Sequence, residues 1–194
     1  MKTYEQRHSG TAIICGAAAC LFDDLAKARA MRPDAVLLGC NMTAAIVPEI
    51  KHVWTQKARA GKMVRAKIPE DVSIHAASGP IPGMEAIYDC DYLWPELSWI
   101  CGTSGFSAGL WAKHGMGFDE VILAGVPLSK DIASYAKGYP SPGNLGDGKP
   151  LVGYSDELFL HWMQHVRTHK KNGKTEGIFS MSGATMTVLG YPKD

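Results

Sequence analysis

Short apolar runs that stop on small residues, each followed by a segment of helical spacing, constrain the fold of this chain more than any other feature. "TAIICG", residues 11–16, is β-branched and apolar and ends on glycine, as a buried strand does. The following "AAACLFDDLAKARAMRP" puts Leu21, Leu25, Ala28 and Met31 close to one helical face, with Pro33 as its stop. "DAVLLGCN" repeats the strand pattern at 35–40 and ends at Asn41. "KHVWTQ" reads as a third strand, "KARAGKMVRAK" as a helix and "EDVSIHAA", with its strand at 72–76, as a fourth. A helix from about Ser104 to His114 and a strand at 120–125 follow. "YSDELFLHWMQHVRTHKK" is a strong amphipathic helix with Ser155 or Asp156 as N-cap, and "EGIFSMSG" supplies a last short strand. Such alternation predicts an α/β domain whose mainly parallel sheet carries helices on both faces.

The chain has 194 residues, so one domain spanning 1–194 is the expectation. Two stretches without clear periodicity, at about 78–98 and 134–150, are expected to be long loops, which often carry function. A net charge of +1 gives no global field towards nucleic acid or membrane. The polar start "MKTYEQRHSG" argues against a signal peptide, and no apolar run has the length to span a bilayer. Five cysteines without a close pair argue against a disulfide framework and for a reducing cytoplasm.

In open α/β sheets ligands sit beyond the carboxyl ends of the strands, which focuses attention on the turns there. "ICGTSGFSAGLW" gathers Gly102, Thr103, Ser104 and Gly105 where a helix begins. Backbone N–H groups at a helix N-terminus are unpaired and carry partial positive charge, and small residues let a phosphate or carboxylate approach. "CGAAA" after the first strand and "GCN" after the second add further small and polar residues at the same predicted edge. Neither GxGxxG nor GxxxxGK[ST] occurs, which disfavours dinucleotide binding and P-loop hydrolysis.

The order strand–"CGAAA"–helix, strand–"GCN", then "GTSGFSAGLWAKHGMGFDEVILAGVPLS" resembles a Rossmann-like nucleotide-binding core. That core is shared by the bacterial α-2,3/2,8 sialyltransferases and the archaeal 6-hydroxymethyl-dihydropterin pyrophosphokinases. The closing "FSMSGATMTVLGYP" resembles short phage-encoded proteins carrying the same core. The resemblance implies a nucleotide-phosphate-binding transferase, a glycosyltransferase using a nucleotide-sugar donor, acting in the host cytoplasm if phage-encoded. It implies nucleotide contacts at Gly16, Ala17, Asn41, Thr103, Ser104 and Gly105, and no cofactor beyond the donor. It leaves open a pyrophosphokinase-like enzyme, which needs Mg²⁺ and clustered carboxylates, and a nucleotide-binding protein without catalysis. The chain also departs from the pattern. It has "GAAA" where a hydroxyl is usual, Pro127 where an acid is usual, and Tyr154 where the transferases hold a histidine before the last long helix.

Two residues are candidate proton acceptors. His75 is expected at a strand carboxyl end, and its ordinary pKa suits general-base chemistry. Tyr154 has the position but needs a nearby positive charge to act as a base. His161, His165 and His169, at i, i+4 and i+8, share one helical face; without an HExxH pattern and beside Arg167, Lys170 and Lys171 they are expected to pack or be solvated, and no metal site is assigned. Lys51, Lys57, Arg59, Lys62, Arg65 and Lys67 fall within 51–67 without an acid, forming either a solvated face or a patch for nucleotide or nucleic-acid phosphates. Among Tyr88, Tyr92, Trp94 and Trp99, the tryptophans are expected to cap the core.

Overall fold

The computed structural model describes residues 4–77, 89–129, 134–140 and 156–193, with Arg59 and Asp156 described by their backbone alone. Among the described residues seven strands are formed: β1 (Thr11–Cys15), β2 (Val36–Cys40), β3 (His52–Thr55), β4 (Ser73–Ala76), β5 (Tyr92–Leu93), β6 (Glu120–Ala124) and β7 (Ile178–Ser180). They make one sheet in the order β5-β4-β3-β2-β1-β6-β7. Every neighbouring pair is parallel. The helices are α1 (Leu21–Met31), α2 (Gly61–Arg65), α3 (Ser104–Trp111), α4 (Asp156–Lys171) and α5 (Gly183–Leu189). This is the α/β, Rossmann-like architecture that the alternation predicts.

Side-chain alternation along the strands explains why both faces are covered. Ala12 and Ile14 of β1, Trp54 of β3, and Val121 and Leu123 of β6 pack under Phe106, Leu110 and Trp111 of α3 and Met163 and Val166 of α4. The intervening Ile13, Cys15, Val53, Ile74, Ile122 and Ala124 face Leu21, Leu25 and Ala28 of α1 and Val64 of α2. With both faces buried, the strands are near-continuously apolar, as a parallel sheet requires. Helix α3 lies close on the sheet because it carries glycine where it touches: a Cβ on Gly105 would stand 2.7 Å from Val126 Cγ2, and one on Gly109 2.8 Å from Leu123 Cδ2.

Several elements differ from the sequence reading. The helix expected over "KARAGKMVRAK" is a 3₁₀ turn (Ala58–Ala60) and the five-residue α2. The helix expected to reach His114 stays α-helical to Trp111 and continues as a π-helical turn (Ala112–Met116). Of 78–98, expected to be loop, residues 78–88 lie outside the described residues; in the remainder β5 pairs with β4 and a 3₁₀ turn follows at Pro95–Leu97. Of 134–150, residues 141–150 also lie outside the described residues, while 134–140 is irregular as expected and tied to the first loop: Ala136 N–H donates to Ala17 O at 2.9 Å, and Ala19 N–H to Ser134 O at 2.8 Å. Trp94 is buried as expected, whereas Trp99 is 37% exposed. Among the described residues, no helix is long and apolar enough to cross a membrane.

From β1 the chain steps outward through β2 to β5, then returns to place β6 on the other side of β1. The reversal leaves a crevice at the carboxyl ends of β1 and β6, where open α/β sheets hold ligands.

Candidate functional site

A cleft of about 740 Å³ opens at that reversal. Its walls come from the turns after β1, β2 and β6, from the start of α3, from one face of α4, and from Tyr135 and Tyr139. Gly16, Ala17, Asn41, Thr103, Ser104 and Gly105, singled out in three separate stretches of sequence, all line it. The volume falls within the ~300–1,000 Å³ of small-molecule sites. No described lining residue is acidic, and Lys57 stands at the wall.

The opening of α3 offers donors. Thr103 is its N-cap: its backbone is extended, and its Oγ1 accepts from Phe106 N–H at 3.4 Å. Ser107 N–H donates to Thr103 O at 2.8 Å. The amides of Ser104 and Gly105 therefore have no partner among the described residues, at the positive end of the helix dipole.

The turn after β1 behaves differently. Gly16, Ala18 and Ala19 donate their N–H groups to Ala124 O, Gly125 O and Ser134 O. A Cβ on Gly16 would stand 2.2 Å from Gly125 O, so glycine here lets the β1 and β6 turns touch. This turn holds itself together rather than presenting a row of donors. Asn41 has φ 51°, the left-handed region in which asparagine is enriched, and donates its N–H to Trp54 O at 2.8 Å, leaving its amide side chain at the cleft. Leu128, in the same wall, is also left-handed at φ 43°, a strain of roughly 1–2 kcal/mol for a residue with a Cβ.

Tyr135 and Tyr139 stack at 5.0 Å between ring centroids, 12° from parallel. Burial pushes both hydroxyls above their ordinary pKa, so both are neutral phenols. They give the cleft an aromatic wall that sequence reading missed, because they lie in a glycine- and proline-rich stretch with no periodicity.

Opposite, α4 brings His161 and His165 to the cleft beside Cys101. Cys101 Sγ lies 3.0 Å from His165 Nδ1 and 3.3 Å from His169 Nε2. His165 Nε2 is in turn 3.0 Å from His161 Nε2. Burial, then the neighbouring His161, lowers the pKa of His165, and burial raises that of Cys101. The Cys101 thiol and the His165 imidazole are thus neutral together near pH 7. The i, i+4, i+8 histidine spacing was visible in the sequence; their convergence on a cysteine 64 residues earlier was not. Among the described residues, no group of three His, Cys, Asp or Glu side chains is arranged to hold a metal ion.

The two candidate proton acceptors fare differently. His75 does not line the cleft; it lies inside β4, fully buried, on the face covered by α3. Trp94 Nε1–H donates to its Nδ1 at 3.1 Å, so its Nε2 bears the proton and faces His52 Nδ1 at 3.0 Å. The rings of Tyr92 and Trp111 lie 4.8 Å from its own. Burial holds its pKa well below the usual histidine value. It has no path to a ligand in the cleft and serves the core. Tyr154 lies outside the described residues.

The basic stretch 51–67 is partly spent on the protein itself. Lys51 pairs with Asp71 at 2.6 Å, and Arg65 with Asp91 at 2.5 Å while also donating to Val72 O. Among the described side chains of the stretch, Lys57 is the one that lines the cleft. No family model, curated protein or solved structure matches this chain.

Proposed function

We propose that the cleft binds a nucleotide, its phosphates at the start of α3 and its base or sugar against Tyr135 and Tyr139, and that the protein transfers a glycosyl group from a nucleotide-sugar donor. One observation carries this reading: the Ser104 and Gly105 amides, unpaired among the described residues, share one cleft with Asn41 and the stacked tyrosines, and no described residue of its lining is acidic. Unpaired amides at a helix N-terminus suit a phosphate. Aromatic faces suit a base. A described lining without carboxylates does not repel an anion.

A second reading, nucleotide binding without catalysis, is favoured by the place of His75 outside the cleft. Titrating nucleoside monophosphates, diphosphates and nucleotide sugars while following thermal unfolding tests both. A ligand at a hundred times its Kd stabilises by about 2.7 kcal/mol. Stabilisation accompanied by release of free nucleotide from a nucleotide sugar supports transfer. Stabilisation without release supports binding alone. No stabilisation by any nucleotide removes both.

A further inference from the structure

The nucleotide reading leaves the thiol of Cys101, at the cleft wall, without a task. Cys101 is half-buried at the wall, with an imidazole nitrogen on each of two sides. In the tautomers that activate the thiol, Cys101 Sγ–H donates to His165 Nδ1, and the other nitrogen of that ring carries hydrogen and donates to His161 Nε2. His169 is buried and held between the rings of Phe106 and Trp99, and in the same arrangement its Nε2–H donates to the sulfur. The sulfur therefore has a base to take its proton, a third group orienting that base, and a donor to stabilise the thiolate as it forms. Nucleophile, base and orienting group in hydrogen-bond succession mark an activated nucleophile. The Ser104 and Gly105 amides, unpaired among the described residues, line the same cleft three and four residues further along the chain, as donors for an oxyanion.

We infer that Cys101, His165 and His161 form a nucleophilic thiol site that takes an acyl group from an ester. Cys101 Sγ attacks the ester carbonyl carbon as its proton passes to His165 Nδ1, forming an S–C bond and an oxyanion. The oxyanion collapses, the C–O bond to the alcohol breaks, and the departing oxygen takes the proton from His165. Water then adds to the thioester and gives its proton to His165. The C–S bond breaks, the sulfur recovers the proton, and a carboxylic acid is released. The sum is ester plus water giving acid plus alcohol. This site does not depend on the nucleotide reading.

Among the described residues, the charged and titratable groups facing the site are His161 and His169 on α4, His114 on the π-helical turn, Lys174, whose ammonium stands 5.2 Å over the Trp99 ring, and Lys57 in the wall of the same cleft. All favour loss of the thiol proton when charged.

The probe is p-nitrophenyl acetate, with mass spectrometry locating the acetyl group. The expected result is a burst of one equivalent of p-nitrophenolate with acetyl on Cys101, absent in Cys101→Ala. His165→Asn should slow acylation at least tenfold at pH 7 with an unchanged circular dichroism spectrum, and His161→Asn should slow it less. The parent's acylation rate should rise through the imidazole range and level off above about pH 7, whereas in His165→Asn the rise should move above the ordinary thiol value of about 8.5, because burial raises that of Cys101. Acetylation at Cys20 or Cys90 instead, a rate untouched in His165→Asn, or a parent profile already following a free thiol each overturns the inference. Nucleotide titration of the same variants is read separately, so failure of one reading leaves the other standing.

Discussion

Two histidine clusters sit on the same side of the sheet and do opposite things. Around His75, the side chains of His52, Trp94, Tyr92, Trp111 and Tyr4 close every approach, and both ring nitrogens are matched inside the core. Around His165, the ring is only partly buried, one nitrogen meets a thiol, and the assembly opens on the cleft. Neither position nor residue type separates the two. What separates them is whether a polar network is closed within the core or left with one face to a cavity. A closed network serves stability, and an open one can serve chemistry.

The largest effect should come from breaking the closed cluster. His75→Ala removes a buried ring and leaves Trp94 Nε1 and His52 Nδ1 without partners. The expected loss is about 3–5 kcal/mol, as for other buried aromatic truncations, measured by urea unfolding. At the open cluster, His165→Asn should change stability by less than about 1 kcal/mol. Equal losses in the two variants would erase the distinction.

An intermediate effect is expected where α3 meets the sheet. Gly105→Ala puts a methyl 2.7 Å from Val126 Cγ2, and overpacking of this kind costs roughly 1–3 kcal/mol. Adding Val126→Ala should not sum with it, because the shortened valine makes room; strict additivity in urea midpoints would show that the contact is not tight.

The pH dependence sharpens the comparison. Burial lowers the folded-state pKa of His75, His52 and His8, so the unfolded chain binds more protons below its ordinary histidine pKa of about 6.5. The stability they contribute is fully present above that value and is lost as pH falls towards the folded-state values. Urea midpoints should therefore fall steadily from pH 6.5 downward. His75→Phe should flatten that slope, and His165→Asn, at a more exposed ring, should change it less.

Much of this contrast was hidden in the sequence. Strands β1 to β4 and β6 were legible because buried parallel strands are short apolar runs bounded by small residues. Strand β5 was not: Tyr92–Leu93 is too short to show a period. Helix α5 was not, because "GATMTVL" opens on glycine and mixes β-branched residues through its turns. At the cleft, the turns holding Gly16, Asn41 and Ser104 could be read from their small residues beyond predicted strands. His75 could not be placed, because a histidine near a strand end faces either the core or the edge, and one residue of register decides which. Cys101 and His165 lie 64 positions apart, and only the passage of α4 over the start of α3 brings them together.

The smallest structural change bears on the central claim. Asn41→Gly keeps a residue suited to φ 51° and removes only the amide that faces the cleft. Calorimetric titration of a nucleoside diphosphate into the parent and into this variant, at matched salt and pH, tests the cleft as a nucleotide site. The account predicts one site in the parent and binding about tenfold weaker in the variant, equal to the roughly 1.4 kcal/mol of a hydrogen bond to a charged group. A parent that binds no nucleoside diphosphate, or a variant that binds as tightly as the parent, would contradict it.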